Sequence, residues 1–418
     1  MFGLLGVKEH LELVAGLAIV GVAAPFIAPV VLSAIIWEGL DRGFKGGFVR
    51  SGNELSGVLL GGVVPWFNRA TNDFNAQFVK RREDAYMINV LALQGIAIPA
   101  AFMGCYVYTA AHGFSVALCW AYHVFRIGPY FMNFAYCYTL CHKEGHSARG
   151  LYAAPYNNSI LRNVFNWWVG LFFGVMPASF AFGHSINHHR YNNGPLDVVT
   201  TADKPRDSII HWICYLPRWT SYALNLSSTA RFIQEGSYHV ALQMVWGSVY
   251  FWAWYGIWAH INPTFAATYL LYPFLENVIL LACVNWSWHA FINPNDPEDE
   301  YVGSVTILDG PINVLNEDFH VVHHQYPGEH WTAHETRARK HWEQYVEHRA
   351  TCFRKTHAFE IFGMVVSRDY HMLARKFVDL RGEQRGKAMT HQQKVALLQS
   401  RLRACWWGPR ATRAVPPR

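Results

Sequence analysis

The sequence predicts an all-α integral membrane protein: two transmembrane helical hairpins plus an extra N-terminal apolar helix, with a histidine-rich cytosolic helical cap. Three observations lead there. Of 418 residues, 52% are hydrophobic and only 15% are charged, where an ordinary soluble protein carries about 25% charged residues. Several uncharged runs are long enough to cross a bilayer. Nine of the 22 histidines fall in short groups at helical spacing, just beyond the ends of those runs.

The first run, residues 13–37, has no charge over 25 positions; at a rise of about 1.5 Å per residue it exceeds the roughly 30 Å of a hydrocarbon core. It is longer than a signal-peptide core and no basic segment leads into it. Pro25 and Pro29 leave a broken or re-entrant helix open. Residues 85–111 form the second run, entered from "KRRED" at 80–84, a basic flank that the positive-inside rule places in the cytosol. Only "HGFS" separates it from residues 116–140, which makes a hairpin. Residues 240–261 and 265–284, joined by "NPT", make another. Both hairpins begin and end on one side. Residues 163–183, "NVFNWWVGLFFGVMPASFAFG", are read as an interfacial or half-inserted helix with Trp167 and Trp168 at headgroup level. The chain therefore divides into an N-terminal apolar helix and cytosolic linker (1–84), a membrane domain (85–330) and a cytosolic, helical, basic C-terminal region (331–418).

Charge and cysteine usage narrow the function. The net charge is +6, and residues 381–418 hold nine Lys or Arg against one acid, which suits a tail near anionic lipid rather than a nucleic-acid binder. The eight cysteines show no C-x-x-C pair; Cys105, Cys119 and Cys283 lie in apolar runs and read as small hydrophobes.

The histidines carry the chemistry. "CHKEGH" puts His142 and His146 at i and i+4, on one helix face. "HSINHH" supplies His184, His188 and His189, "NWSWH" pairs Asn285 with His289, and "NEDFHVVHH" supplies His320, His323 and His324. Under the topology above all ten residues are cytosolic. Imidazole is the commonest transition-metal ligand, and helical spacing lets two rings converge on one ion. Nine histidines are too many for one ion and suit two, of iron, copper or zinc.

These groups resemble the three histidine boxes of the membrane fatty acid desaturase and hydroxylase superfamily. "VNWSWH" and "NEDFHVVHH" are similar to the last two elements of acyl-CoA desaturases. The resemblance covers about residues 85–330. It implies a di-iron centre at the cytosolic membrane face, ligated by His142, His146, His184, His188, His189, His289, His320, His323 and His324, with Asn285 acting through water. It further implies O2 as co-substrate and a fatty acyl substrate, as acyl-CoA, acyl-lipid or free acid. Because no "HPGG" haem element occurs, electrons are expected from a separate donor such as a b-type cytochrome or ferredoxin. The expected reaction is desaturation in the endoplasmic reticulum or bacterial inner membrane. The first box has three intervening residues where acyl-CoA desaturases have four, and the second three where they have two. Hydroxylation and alkene-forming decarboxylation therefore stand as alternatives, and a zinc-dependent membrane hydrolase or receptor as a further one.

Glu144, Glu317 and Asp318 are candidates to orient ligand imidazoles. His123, Arg126 and Glu276 are ionisable residues in apolar segments, hence candidates for function or for pairing with backbone. His334, His341, His348 and His357 are expected to face solvent or a soluble helix pair, and "NDPEDE" at 295–300 to be a solvated loop.

Overall fold

The computed structural model describes residues 6–43, 63–128, 131–147 and 150–406. The last part of the basic tail lies outside the described residues. The chain forms two compact units: Met1–Gly21, Ser185–Tyr222 and Val278–Pro417 make the first, Val22–His184 and Ala223–Asn277 the second.

Among the described residues, three helices are long and apolar enough to cross a membrane: Val7–Ala28, Arg82–His112 and Pro263–Trp288. The first belongs to α1, Val7–Gly43, which stays helical through Pro25 and Pro29. A proline removes one helical hydrogen bond, a loss that transmembrane helices absorb by local adjustment. After α2 (Val63–Ala76), the second apolar helix comprises α3 (Met87–Ala92), a π-helical turn at Leu93–Ala97, and α4 (Ile98–His112). It ends at Gly113, whose φ of 82° suits a residue without Cβ. Ser115 accepts the Leu118 N–H and starts α5, Val116–Ile127.

The single limb expected over 116–140 is instead two helices. The 12-residue α5 stops at Gly128, where φ is 75°, and α6 runs Met132–His146. Asn133 donates back to the Phe125 carbonyl at 3.0 Å and closes the break. The expected helix at 163–183 is likewise divided: a π-helical turn Phe165–Val169, α7 (Gly170–Phe173), a left-handed Gly174, then a π-helix Ser179–His188. Phe165, Val169, Leu171, Phe172, Phe173, Val175 and Met176 are almost fully buried. Core packing, rather than a flat amphipathic surface, sets this segment's shape.

A short α8 (His189–Tyr191) leads to α9 (Ile209–Ala223) and α10 (Leu226–Gln234). α11 (Tyr238–Ile261) turns at Asn262, whose side chain accepts the Phe265 N–H and caps α12 (Pro263–Ala266). A π-helical turn joins this to α13, Tyr272–Trp288. Phe102 of α4 packs edge-on against Trp258 and Phe265, both at 4.9 Å between ring centroids, in the second unit's aromatic core.

In the first unit, α14 (Glu300–Gly303) precedes strand β1 (Thr306–Ile307), which pairs in parallel with β2 (Cys352–Phe353). α15, His320–Gln325, follows. Val321 and Val322 enter a core with Phe319, Tyr345, Val346 and Cys352, which anchors α15 and leaves its histidines for other work. Short helices from His334–Lys340 to His391–Arg403 complete this unit. All eight cysteines are free and seven are buried, as their apolar neighbours suggested.

Candidate metal centre

Each unit gathers histidines. In the second, α6 presents His142 and His146 one turn apart, with Nε2 atoms 2.9 Å from each other. The His184 ring, from the π-helix Ser179–His188, lies 4.3 Å from that of His142 and 5.4 Å from that of His146.

In the first unit, His188 ends that π-helix and His189 opens α8, His289 follows α13, and α15 carries His320, His323 and His324. All six are buried. The Nε2 atoms of His289 and His320 are 3.2 Å apart, those of His320 and His324 3.1 Å, and those of His189 and His323 3.0 Å. His188, His289 and His324 each offer one nitrogen within 4.8 Å of the other two.

The outward nitrogens fix what the inward ones can do. His188 Nδ1 is 2.6 Å from Asp197 Oδ2. Burial opposes the charge on Asp197, but His188 and the amides of Val199 and Asn193 outweigh it and hold the carboxyl below its ordinary pKa. An ionised carboxylate can only accept, so the proton sits on His188 Nδ1. His289 Nδ1 faces the Gly303 carbonyl at 3.2 Å, another pure acceptor. Both rings therefore turn an Nε2 lone pair inward. A nitrogen lone pair facing a second ring nitrogen needs a proton or a metal cation between them. Two nitrogens each about 2.1 Å from one ion, at right angles to each other, would be about 3.0 Å apart, which is the spacing of the four Nε2 pairs. The donor set thus fits nitrogen-ligated transition metals.

Asn285, one turn before His289, donates to Tyr215 Oη at 2.8 Å and to the Val199 carbonyl at 3.3 Å. Tyr215 donates to the same carbonyl at 3.1 Å. The segment from Asp197 to Val199 thereby supports His188 through a carboxylate and Asn285 through a peptide oxygen.

The three carboxylates expected to orient imidazoles are placed differently. Glu144 accepts the N–H groups of Phe165 and Asn166 at 3.0 and 2.9 Å and the Asn166 side chain at 3.1 Å; burial pushes its pKa up to about 8 against these bonds. Glu317 lies 4.0 Å from His323 Nδ1, at ion-pair range. Asp318 sits against Gly310, where a Cβ would come within 2.1 Å of its Oδ2, and burial, then Glu317 and Asp309, push its carboxyl well above the usual range.

Sequence reasoning missed three residues. Asp197 follows the second box by eight positions, in "YNNGPLDVV", and the only signal was an acid shortly after a histidine pair. Tyr215 had no signal. His334, expected at the surface, is fully buried, with Nδ1 3.3 Å from the Asn316 carbonyl and its ring 6.2 Å from that of His323. In "NDPEDE", Asp299 caps α14 and faces His348 at 3.1 Å, and Glu300 accepts from Asn192, so this loop is partly buried structure rather than only solvated charge. His123, Arg126 and Glu276 do meet one another, within the second unit.

A family model described as fatty acid desaturase matches residues 118–356, a span that includes all ten candidate ligands. No curated protein and no solved structure matches the chain.

Proposed function

Because the chain belongs to the fatty acid desaturase family, we propose that it is a membrane-bound di-iron oxidase that desaturates fatty acyl chains with O2 and electrons from a separate donor. The observation that carries this reading is the set of Nε2 atoms facing one another at 2.9–3.2 Å, backed at His188 and His289 by acceptors that hold the proton on Nδ1. The nine histidines are the proposed ligands of the two irons, with Asn285 acting through water, and the catalytic part is residues 85–330.

Iron bound there would supply the activation of dioxygen that an unreactive acyl C–H bond requires. The chain's own residues do the rest. Asp197 and the Gly303 carbonyl hold a proton on Nδ1 of His188 and His289 and orient the two rings, and buried packing around α15 excludes water. Apolar helices admit the acyl chain from the bilayer. The basic flank at 80–82 supports two membrane hairpins with the histidines on the cytosolic side.

The test is metal content of detergent-purified chain, with His323→Ala as the paired variant, followed by product analysis. About two irons per chain, falling in the variant, and an acyl product with one more double bond are expected. One zinc and no iron would overturn the oxidase reading in favour of a hydrolase or receptor. An alcohol or a shortened terminal alkene would keep the di-iron centre and move the reaction to hydroxylation or decarboxylation.

A further inference from the structure

α5 and α13 bring three ionisable side chains together inside the second unit. Arg126 contacts the Glu276 carboxylate through Nη2, and the same nitrogen lies 3.2 Å from His123 Nδ1. His123 Nε2 is 2.8 Å from the Thr268 carbonyl. That carbonyl only accepts, so the imidazole proton is on Nε2 and Nδ1 accepts from Arg126. The cluster therefore carries one positive and one negative charge. All three residues are at most 2% exposed.

This arrangement uses only part of the guanidinium. Arg126 Nε and Nη1 are buried with no hydrogen-bond partner among the described residues, and so is the hydroxyl of Tyr122, one turn back on the same face of α5. Buried donors left unpaired are costly and rare, and an ion pair to Glu276 alone would need only a point charge. Phe173 lies under the guanidinium at 5.4 Å, and its carbonyl accepts from Tyr138 at 2.5 Å. Tyr138 is one turn before His142 on α6. The unpaired donors are thus linked to the apolar end of the helix that presents two candidate ligands.

We propose that Arg126 and Tyr122 bind an uncharged oxygen, a hydroxyl or a carbonyl, carried on the hydrocarbon chain of the substrate. Neutrality follows from the charge balance: with Arg126 already matched by Glu276, a second carboxylate would be an uncompensated charge in a low-dielectric interior. An uncharged oxygen satisfies the donors without adding one. The inference rests on the acyl-substrate reading and deepens it by naming a class of chain.

The test is displacement of radiolabelled octadecanoate and octadecanoyl-CoA from the full-length, metal-loaded chain in nanodiscs. The competitors are the unsubstituted chain and its positional monohydroxy and mono-oxo isomers, each as free acid and as CoA thioester. At least one isomer is expected to bind about tenfold or more tighter than the unsubstituted chain. In Arg126→Lys, which keeps a cation beside Glu276 but removes Nε and Nη1, that ratio is expected to fall to about one. Equal binding of all isomers by the wild type would overturn the proposal and leave the donors to water. A ratio that survives in Arg126→Lys would overturn it too. Should that variant not fold, Tyr122→Phe leaves the ion cluster intact and is expected to cut the ratio about threefold or more; an unchanged ratio overturns the proposal. If no octadecanoyl compound binds in any form, the acyl-substrate reading itself fails.

Discussion

At His188 a single proton decides the chemistry. Asp197 holds it on Nδ1 at 2.6 Å while its other oxygen accepts from Val199, so the carboxylate is itself clamped. Asp197→Ala releases the ring and lets the proton move to the nitrogen a metal needs. Metal affinity is expected to fall about 10- to 100-fold, read as iron retained against a competing chelator; full retention would show that His188 is held by packing alone. Tyr215→Phe removes the hydroxyl that accepts from Asn285 at 2.8 Å and leaves the ring in place. It is expected to leave metal content near wild type and to change the electronic spectrum of a cobalt-substituted chain. An identical spectrum would mean that Asn285 is positioned by its helix rather than by Tyr215. The histidines were legible because their spacing matches a helical face. Their supports were not, since Asp197 and Tyr215 stand at no helical spacing from the histidines, and their relation to Asn285 exists only once the segment after the second box has folded against α13.

Among the elements, the apolar runs were legible from charge alone, whereas their interruptions followed local chemistry that hydropathy does not see. Gly128, with φ of 75° and an added Cβ meeting Asn133 at 2.9 Å, separates α5 from α6. Two π-helical segments, Phe165–Val169 and Ser179–His188, replace most of the stretch that reads as one helix over 163–183. Glu144 is read most simply from the elements it joins. It leaves the end of α6 and accepts both leading N–H groups of the π-helical turn Phe165–Val169, so it ties the helix bearing His142 to the segment leading toward His184. Glu144→Ala strands those two amides in a buried site. A loss of about 1–3 kcal/mol is expected, seen as a lower thermal midpoint even in metal-free protein. An unchanged midpoint would mean that water replaces the carboxylate, and the link between the elements would be incidental.

On the scale of the molecule, composition made the membrane character legible but not the way the chain is divided. Residues 331–406 share a unit with 185–222 and 278–330 because their partners lie there. The fully buried Arg206 donates from Nε to the Ala290 carbonyl and from Nη2 to the Arg401 carbonyl, each at 2.9 Å. Its neighbour Asp207 extends the same tie: Tyr370 donates to its carboxylate, Arg403 Nε lies at 2.7 Å, and Arg368 Nε reaches its backbone carbonyl at 2.7 Å. Burial works against the charge on Asp207, yet Tyr370 and then Arg403 prevail and hold its carboxyl below the ordinary value. A carboxyl depressed on folding stabilises above its unfolded pKa, near 3.9 for aspartate. That contribution is lost as pH falls through the folded value. Asp207→Asn is therefore expected to destabilise the chain by about 1–2 kcal/mol at pH 7, a modest figure because Arg403 is half exposed and screened. The gap between variant and wild type should narrow steadily below about pH 4. Thermal melts of both proteins at pH 7 and near pH 3 measure it. A gap of the same size at both would show that Asp207 acts through its shape and hydrogen bonds rather than its charge, and that the C-terminal segment is held to the unit by Arg206 and apolar packing.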